Sequence, residues 1–184
     1  MLLSRRFAES DLDNLVGLDS DPKVMRYLTG GKPTPRSVIE NEVLPRLLRP
    51  DSGRWAAIEK ATGDFLGWFA LDRPAGGSGE EVELGYRLRA SAWGRGYATA
   101  GSRALIRKAF TELGVRRMFA QTMAVNVASR RVMEKAGLRH VRTFYPDWDD
   151  PIEGSEHGEV EYELRRADWQ PQRYPPREDV EFPQ

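Results

Sequence analysis

The chain reads as a single α+β domain, a mixed and mostly antiparallel sheet with helices on both faces. Three observations predict this. Short stretches of alternating apolar and polar residues, bounded by turn residues, recur from the start of the chain to about residue 164. Stretches with apolar residues at helical spacing lie among them, most clearly Leu105, Ile106, Ala109, Phe110 and Leu113. The 184 residues, 40% hydrophobic and 30% charged, suit one globular domain large enough to bury a core.

The same composition sets limits on function. Lys and Arg balance Asp and Glu, so no overall basic field favours nucleic acid. There is no cysteine, hence neither disulfide nor thiol nucleophile, and the two histidines, His140 and His157, predict no transition-metal site. Met1–Arg6 has no apolar core for a signal peptide, and nowhere do eighteen apolar residues run together. The expectation is a cytoplasmic protein without membrane or nucleic-acid partners, either monomer or homodimer.

In chain order, Leu3, Arg5 and Phe7 alternate across a first strand. Ser10 stands where an N-cap belongs, before a short helix showing Leu12, Leu15, Val16 and Leu18. Asp21-Pro22 starts a second helix, closed by Gly30-Gly31. Thr34-Pro35 opens a third, with an expected kink near Pro45 and a stop by Pro50. Residues 55–59 and 65–71 read as a hairpin. The loop Pro74–Gly79 is flexible in character, and its Gly76-Gly77-Ser78-Gly79-Glu80 run fails the G-x-S-x-G nucleophile pattern at the last position. Residues 82–88 form a half-buried strand, and a helix runs from about Thr99 to Leu113. A strand over 115–122 follows, then a helix capped by Asn126 and ended by Gly137, then strands near 138–144 and 160–164. Between those last two lies a long acidic loop, Pro146–Gly158, of a length that is often functional. The proline-rich tail, 170–184, reads as extended or disordered, or as packing on a neighbouring subunit; the domain proper is 1–169.

The stretch Trp93-Gly94-Arg95-Gly96-Tyr97-Ala98-Thr99 joins the 82–88 strand to its helix. Its small residues let a ligand approach main-chain N–H groups at the positive end of a helix dipole, which favours a phosphorylated anion. No Walker lysine is present, and the dinucleotide fingerprint G-x-G-x-x-G fails at Thr99.

This turn resembles the acyl-CoA motif Q/R-x-x-G-x-G/A of the GNAT superfamily of N-acyltransferases, with Trp93 in place of the usual Gln or Arg. About thirty residues on, Asn126-Val127-Ala128-Ser129-Arg130-Arg131-Val132-Met133-Glu134-Lys135-Ala136-Gly137-Leu138 is similar to the N-x-x-S-x-x-V-x-x-K-x-G signature of one branch, that of the ribosomal-protein N-terminal acetyltransferases. Asp21–Leu28 is also typical of that branch, and the matches span most of 1–169 in the family's order.

The resemblance implies a GNAT-like fold that transfers acetyl from acetyl-CoA, as cosubstrate, to a primary amine in a ternary complex. It also implies that the first helices form one wall of the acceptor cleft. The 84–88 strand would bond the pantetheine arm, and the N–H near Leu88 would meet the thioester oxygen. The turn Trp93–Thr99 would take the pyrophosphate on the N–H groups of Arg95, Gly96, Ala98 and Thr99. Arg95, Arg103 and Arg130 could fork CoA phosphates or simply be solvated. Asn126 could contact the pantetheine amide or serve only as an N-cap. Ser129, one helical turn on, or a water would protonate the leaving thiolate, because the tyrosine many members carry seven residues after the asparagine is Met133 here. For the general base, Glu83 is the first choice, with Glu153, Glu156 and His157 as rivals; the acidic loop could equally steer a cationic acceptor. The alternatives to an enzyme are a non-catalytic acyl-CoA sensor or scaffold of the same fold, and a nicotinamide-binding oxidoreductase.

Overall fold

Seven strands hydrogen-bond into one sheet: β1 (Leu2–Arg5), β2 (Arg54–Glu59), β3 (Phe65–Asp72), β4 (Glu81–Leu88), β5 (Arg117–Met123), β6 (Arg139–Phe144) and β7 (Glu159–Arg165). Their order across the sheet is β1-β2-β3-β4-β5-β7-β6. Among the described residues only β4 and β5 are parallel; every other neighbouring pair is antiparallel. A computed structural model describes residues 2–76, 79–173, 180 and 182–183; Gly77 and Ser78 of the glycine loop and much of the tail lie outside the described residues.

A parallel pair needs a crossover, and α5 (Tyr97–Glu112) supplies it. Together with α6 (Val127–Ala136) it covers one face of the sheet, over a core that includes Phe69, Leu84, Leu105, Phe110, Met118 and Tyr162. On the other face lie α1 (Leu12–Asp19), α2 (Pro22–Thr29) and a third segment made of α3 (Arg36–Val38), a π-helical turn (Ile39–Val43) and α4 (Leu44–Leu47). They enclose a second core with β2 and β3, including Leu15, Leu18, Met25, Ile39 and Ala56. The expected α+β layering therefore holds.

Beyond β4 that second face carries charge instead of helices. Arg117 bonds Glu161 at 2.6 Å and Glu163 at 2.7 Å, and Arg142 reaches Glu161 at 2.8 Å. The glutamates alternate with Val160, Tyr162 and Leu164, which face α6, so one strand lines both a core and an ion-pair layer.

Several local expectations are corrected by packing. In β1 it is Leu2 and Ser4 that are buried and Leu3 that is exposed, because Leu2 joins the Trp55 cluster on the α5 side while Phe7, past the strand, enters the second core. Asp11, not Ser10, organises the start of α1: its carboxylate takes both Arg5 donors at 2.7 and 2.8 Å and the Ala8 N–H at 3.0 Å. The Asp21 cap is as expected, with its side chain accepting from the Lys23 N–H at 2.9 Å and Gly30 closing the helix at φ 66°. At Pro45 the helix does not simply kink. The π-helical turn before it accommodates the missing N–H and rotates Ile39, rather than Val38, into the core. Helix α5 begins at Tyr97, two residues before the expected Thr99.

The tail expectation is also corrected where the tail is described. Val180 and Phe182 are buried, Phe182 meets Trp55 and Phe69 edge-on at 5.4 and 5.7 Å, and the Trp55 indole N–H donates to the Pro183 carbonyl at 3.1 Å. The chain end returns to its own core on the α5 face.

Candidate active site

Strands β4 and β5 pair only over Glu81–Glu83 and Arg117–Phe119 and then separate. The Glu80 carbonyl accepts from the Arg116 and Arg117 N–H groups on the β5 side, while the Arg89 N–H donates to the Leu66 carbonyl of β3 on the other side. Main-chain groups alternate along a strand, so those of Tyr86 and Leu88 point into the gap where β5 has left. The Leu88 carbonyl there accepts from the Trp93 indole at 2.9 Å. Trp93, half exposed at 50%, thus pins the end of the strand against the turn that follows.

That turn is shaped by two left-handed glycines, Gly94 at φ 73° and Gly96 at φ 83°. A Cβ at either would meet no protein atom within 4 Å, so the space before them is open. Gly96 is the N-cap of the sixteen-residue α5 and no side chain among the described residues caps the helix, which leaves the first-turn N–H groups of Tyr97, Ala98 and Thr99 facing out. The neighbouring side chains turn away: the Tyr97 hydroxyl donates to Glu59 at 2.6 Å and Arg95 bonds the same carboxylate at 2.5 Å. These bonds hold the Glu59 carboxyl below the usual range, Tyr97 contributing most. Uncapped N–H groups at a helix N-terminus, approached over bare glycine, suit a diphosphate.

Across the gap, Asn126 caps α6: its Oδ1 accepts from the Ser129 N–H at 3.2 Å and its Nδ2 donates to Thr122 at 3.0 Å. The capping alternative for Asn126 is the one the structure displays. Ser129 is half-buried and hydrogen-bonded to Tyr86, whose hydroxyl lies 2.9 Å from Ser129 Oγ and 3.2 Å from its carbonyl. Tyr86 was absent from the sequence-derived set. The available signal was its position: it shares the core-facing register of Val82, Leu84 and Leu88, where a hydroxyl needs a partner. Met133 is buried.

Two arginines are tied up elsewhere. Arg130 Nε donates to the Tyr162 hydroxyl at 3.2 Å and Nη1 to the Ala124 carbonyl at 2.9 Å, binding α6 to β7. Arg103 donates twice to the Lys135 carbonyl, at 3.2 and 2.7 Å, and so satisfies the C-terminal end of α6. Arg130 also lines a cavity of about 470 Å³ with His140, Thr143 and His157, on the α6 side of the sheet.

Glu83 faces the other side. Its register partners are Asp72 on β3 and Phe119 on β5, and burial, then the Asp72 charge, pushes its carboxyl above the usual range. It does not pair with Arg87, which instead bonds Asp19 of α1 at 2.6 Å and lies over Trp68. Glu159, on the same face of β7, is likewise raised by burial. No ion pair among the described residues involves Glu83 or Glu159. The acidic loop packs against α2, with Asp150 on Lys32 at 2.8 Å and Glu153 near Arg26 at 3.6 Å. Two of the loop's acids therefore bind α2 and the turn that follows it.

A separated β4–β5 pair, beside an uncapped helix behind a glycine turn, is the arrangement that the resemblance implies for an acyl-CoA-dependent N-acyltransferase. The sequence model of the family described as "Acetyltransferase (GNAT) domain" matches residues 2–139, and the chain belongs to that family. It is 38% identical over 164 residues to the FsC-acetyl coenzyme A-N(2)-transacetylase of Aspergillus fumigatus, covering 83% of this chain and 68% of that protein. A GNAT-family acetyltransferase from Bacillus anthracis superposes with a TM-score of 0.77 at 22% identity, over 90% of this chain and 95% of that one. The spermidine N-acetyltransferase of Vibrio cholerae, solved with CoA and spermine, superposes at 0.74 with 15% identity, over 91% and 96%. The chain is an acetyl-CoA-dependent N-acetyltransferase: it transfers acetyl from that cosubstrate to a primary amine, and the sensor and nicotinamide alternatives give way. No helix among the described residues is long and apolar enough to cross a membrane.

Proposed function

We infer that the acetyl donor lies in the β4–β5 gap with its diphosphate on the N-terminus of α5, and that the acceptor amine enters from the α1–α2 side. The observation that carries this is the open space before Gly94 and Gly96, beside a long helix that no side chain caps. In this arrangement the N–H groups of Gly96, Ala98 and Thr99 hold the diphosphate, and the main chain of Leu88 lines the thioester. Arg95, Arg103 and Arg130 serve the scaffold, since each has protein partners in reach.

The chemistry follows from the faces of the sheet. A neutral amine attacks the thioester carbon, a C–N bond forms, and the Leu88 N–H donates to the developing oxyanion. Glu83, half-buried and without an ion-pair partner, accepts the amine proton through water. The C–S bond breaks and Ser129 gives its hydroxyl proton to the thiolate. His157 opens to the α6-side cavity, away from the face that carries Glu83, and so ranks behind it as base.

The acceptor is a cationic small-molecule amine, supported by the unpaired carboxylates Glu83 and Glu159 on that face and by the similarly folded enzyme named for spermidine. A protein N-terminus is the second reading, favoured by the Asn126–Leu138 signature and the Asp21–Leu28 stretch. The cytoplasm, where acetyl-CoA is consumed in such transfers, is the proposed location. Thiol release from acetyl-CoA against spermine, an aminoglycoside and an alanine-initiated peptide tests the reading. Turnover with one of the first two supports the small-molecule acceptor, and turnover with the peptide alone replaces it.

A further inference from the structure

The family's usual phenolic acid on α6 is replaced by the buried Met133, yet a phenol still stands at Ser129, brought by the neighbouring strand. Tyr86 projects from β4 beneath the first turn of α6, its ring tilted against Phe69 with centroids 6.3 Å apart. Its hydroxyl lies 2.9 Å from Ser129 Oγ and 3.2 Å from the Ser129 carbonyl. We propose that Tyr86 is the positioning residue for the leaving-group acid, donating its hydrogen bond into Ser129 Oγ so that the serine proton is directed at the departing thiolate. This rests on the role given to Ser129 above.

The argument is one of donor counting. A serine hydroxyl has one proton and two lone pairs, and a phenol has one proton. While no better acceptor is near, Tyr86 can donate to the Ser129 carbonyl and accept from Ser129 Oγ. Once a thiolate develops, it draws the serine proton outward, and Tyr86 can then donate to Oγ. A hydrogen bond to the charged form favours that form, so the oxygen losing its proton is stabilised as the proton leaves. Burial, opposed by the Ser129 hydrogen bond, pushes Tyr86 up to about 12. The phenol therefore stays protonated in the resting site across the working range and is available as a donor. The proton passes from Ser129 to the CoA sulfur, the C–S electron pair goes to sulfur, and Ser129 regains a proton from water after CoA leaves.

The test is a double-mutant cycle with Tyr86→Phe, Ser129→Ala and the double variant, read as thiol release from acetyl-CoA with whichever of spermine, the aminoglycoside and the alanine-initiated peptide the unaltered protein turns over fastest. Tyr86→Phe keeps the ring and its packing on Phe69. The expected result is about a tenfold or greater fall in kcat for each single variant, with KM for acetyl-CoA within about twofold. In the Ser129→Ala background, Tyr86→Phe should add nothing further. Multiplying effects, or a Tyr86→Phe loss confined to KM or melting temperature, would overturn the proposal and leave Ser129 standing. If Ser129→Ala alone leaves kcat unchanged, the reading of Ser129 fails and the Tyr86 role falls with it. No thiol release from the unaltered protein with any of the three acceptors would remove both.

Discussion

Gly96 combines two properties in one position: a backbone at φ 83° that a side chain would strain, and open space where a side chain would intrude. Gly96→Glu should lower CoA affinity by more than about a hundredfold, through bulk and like-charge repulsion, as read by calorimetry. Gly96→Ala carries the strain without the charge and should lose less; equal losses would show that strain alone matters. Glu83 gives a second prediction. Its carboxyl is raised by burial and by Asp72, so activity that needs it ionised should climb with pH through a point above the usual glutamate range. Glu83→Gln should abolish that limb and reduce kcat about a hundredfold, measured as a pH–rate profile. The linked stability runs the other way. A raised folded value means the folded state keeps the proton longer, so stability falls as pH rises from the unfolded value through the folded one. Thermal melting of Glu83→Gln should be flatter across that window.

Helix α5 owes its seat to a contact of a different kind. A Cβ at Gly101 would stand inside the Phe69 ring, so the helix approaches β3 more closely than any other residue would permit. Gly101→Ala should force the helix outward and cost about 2 kcal/mol, a fall of about 4–8 °C in melting temperature for a domain of this size. Since the same helix presents the glycine turn, CoA affinity should fall alongside. Much of this element level was legible beforehand. The 54–59 and 65–72 hairpin, the β4 strand, the Asp21 and Asn126 caps and the Gly137 stop are written in local spacing and turn residues. Boundaries slipped where packing overrules local preference. The face of β1 follows Leu2 into the Trp55 cluster, and the π-helical turn before Pro45 reassigns which residues of the third segment are buried.

At the scale of the whole molecule, the two helices α5 and α6 leave the β2 end of their face to be covered by the chain's last residues. Phe182 fills it against Trp55 and Phe69, and Phe69 in turn touches Tyr86. Phe182→Ala should cost about 3 kcal/mol in denaturant unfolding, with a red-shifted tryptophan emission as Trp55 meets water. An unchanged midpoint would mean that the tail contributes no packing. Proline content and missing periodicity concealed this contact, because an aromatic in an irregular tail gives no local sign of where it docks.

The sequence by itself determined the layered class, the glycine turn at the head of α5 and the N-capped helix opposite it, since each depends on residues within a turn or two of one another. Tertiary structure alone decided that Tyr86 meets Ser129 forty-three positions away, that Arg103 and Arg130 bind the scaffold, and that Pro183 returns to Trp55 across 128 positions. The physical reason is that a buried polar or aromatic group takes whichever partner the assembled sheet brings within reach, and that choice has no signature in neighbouring residues.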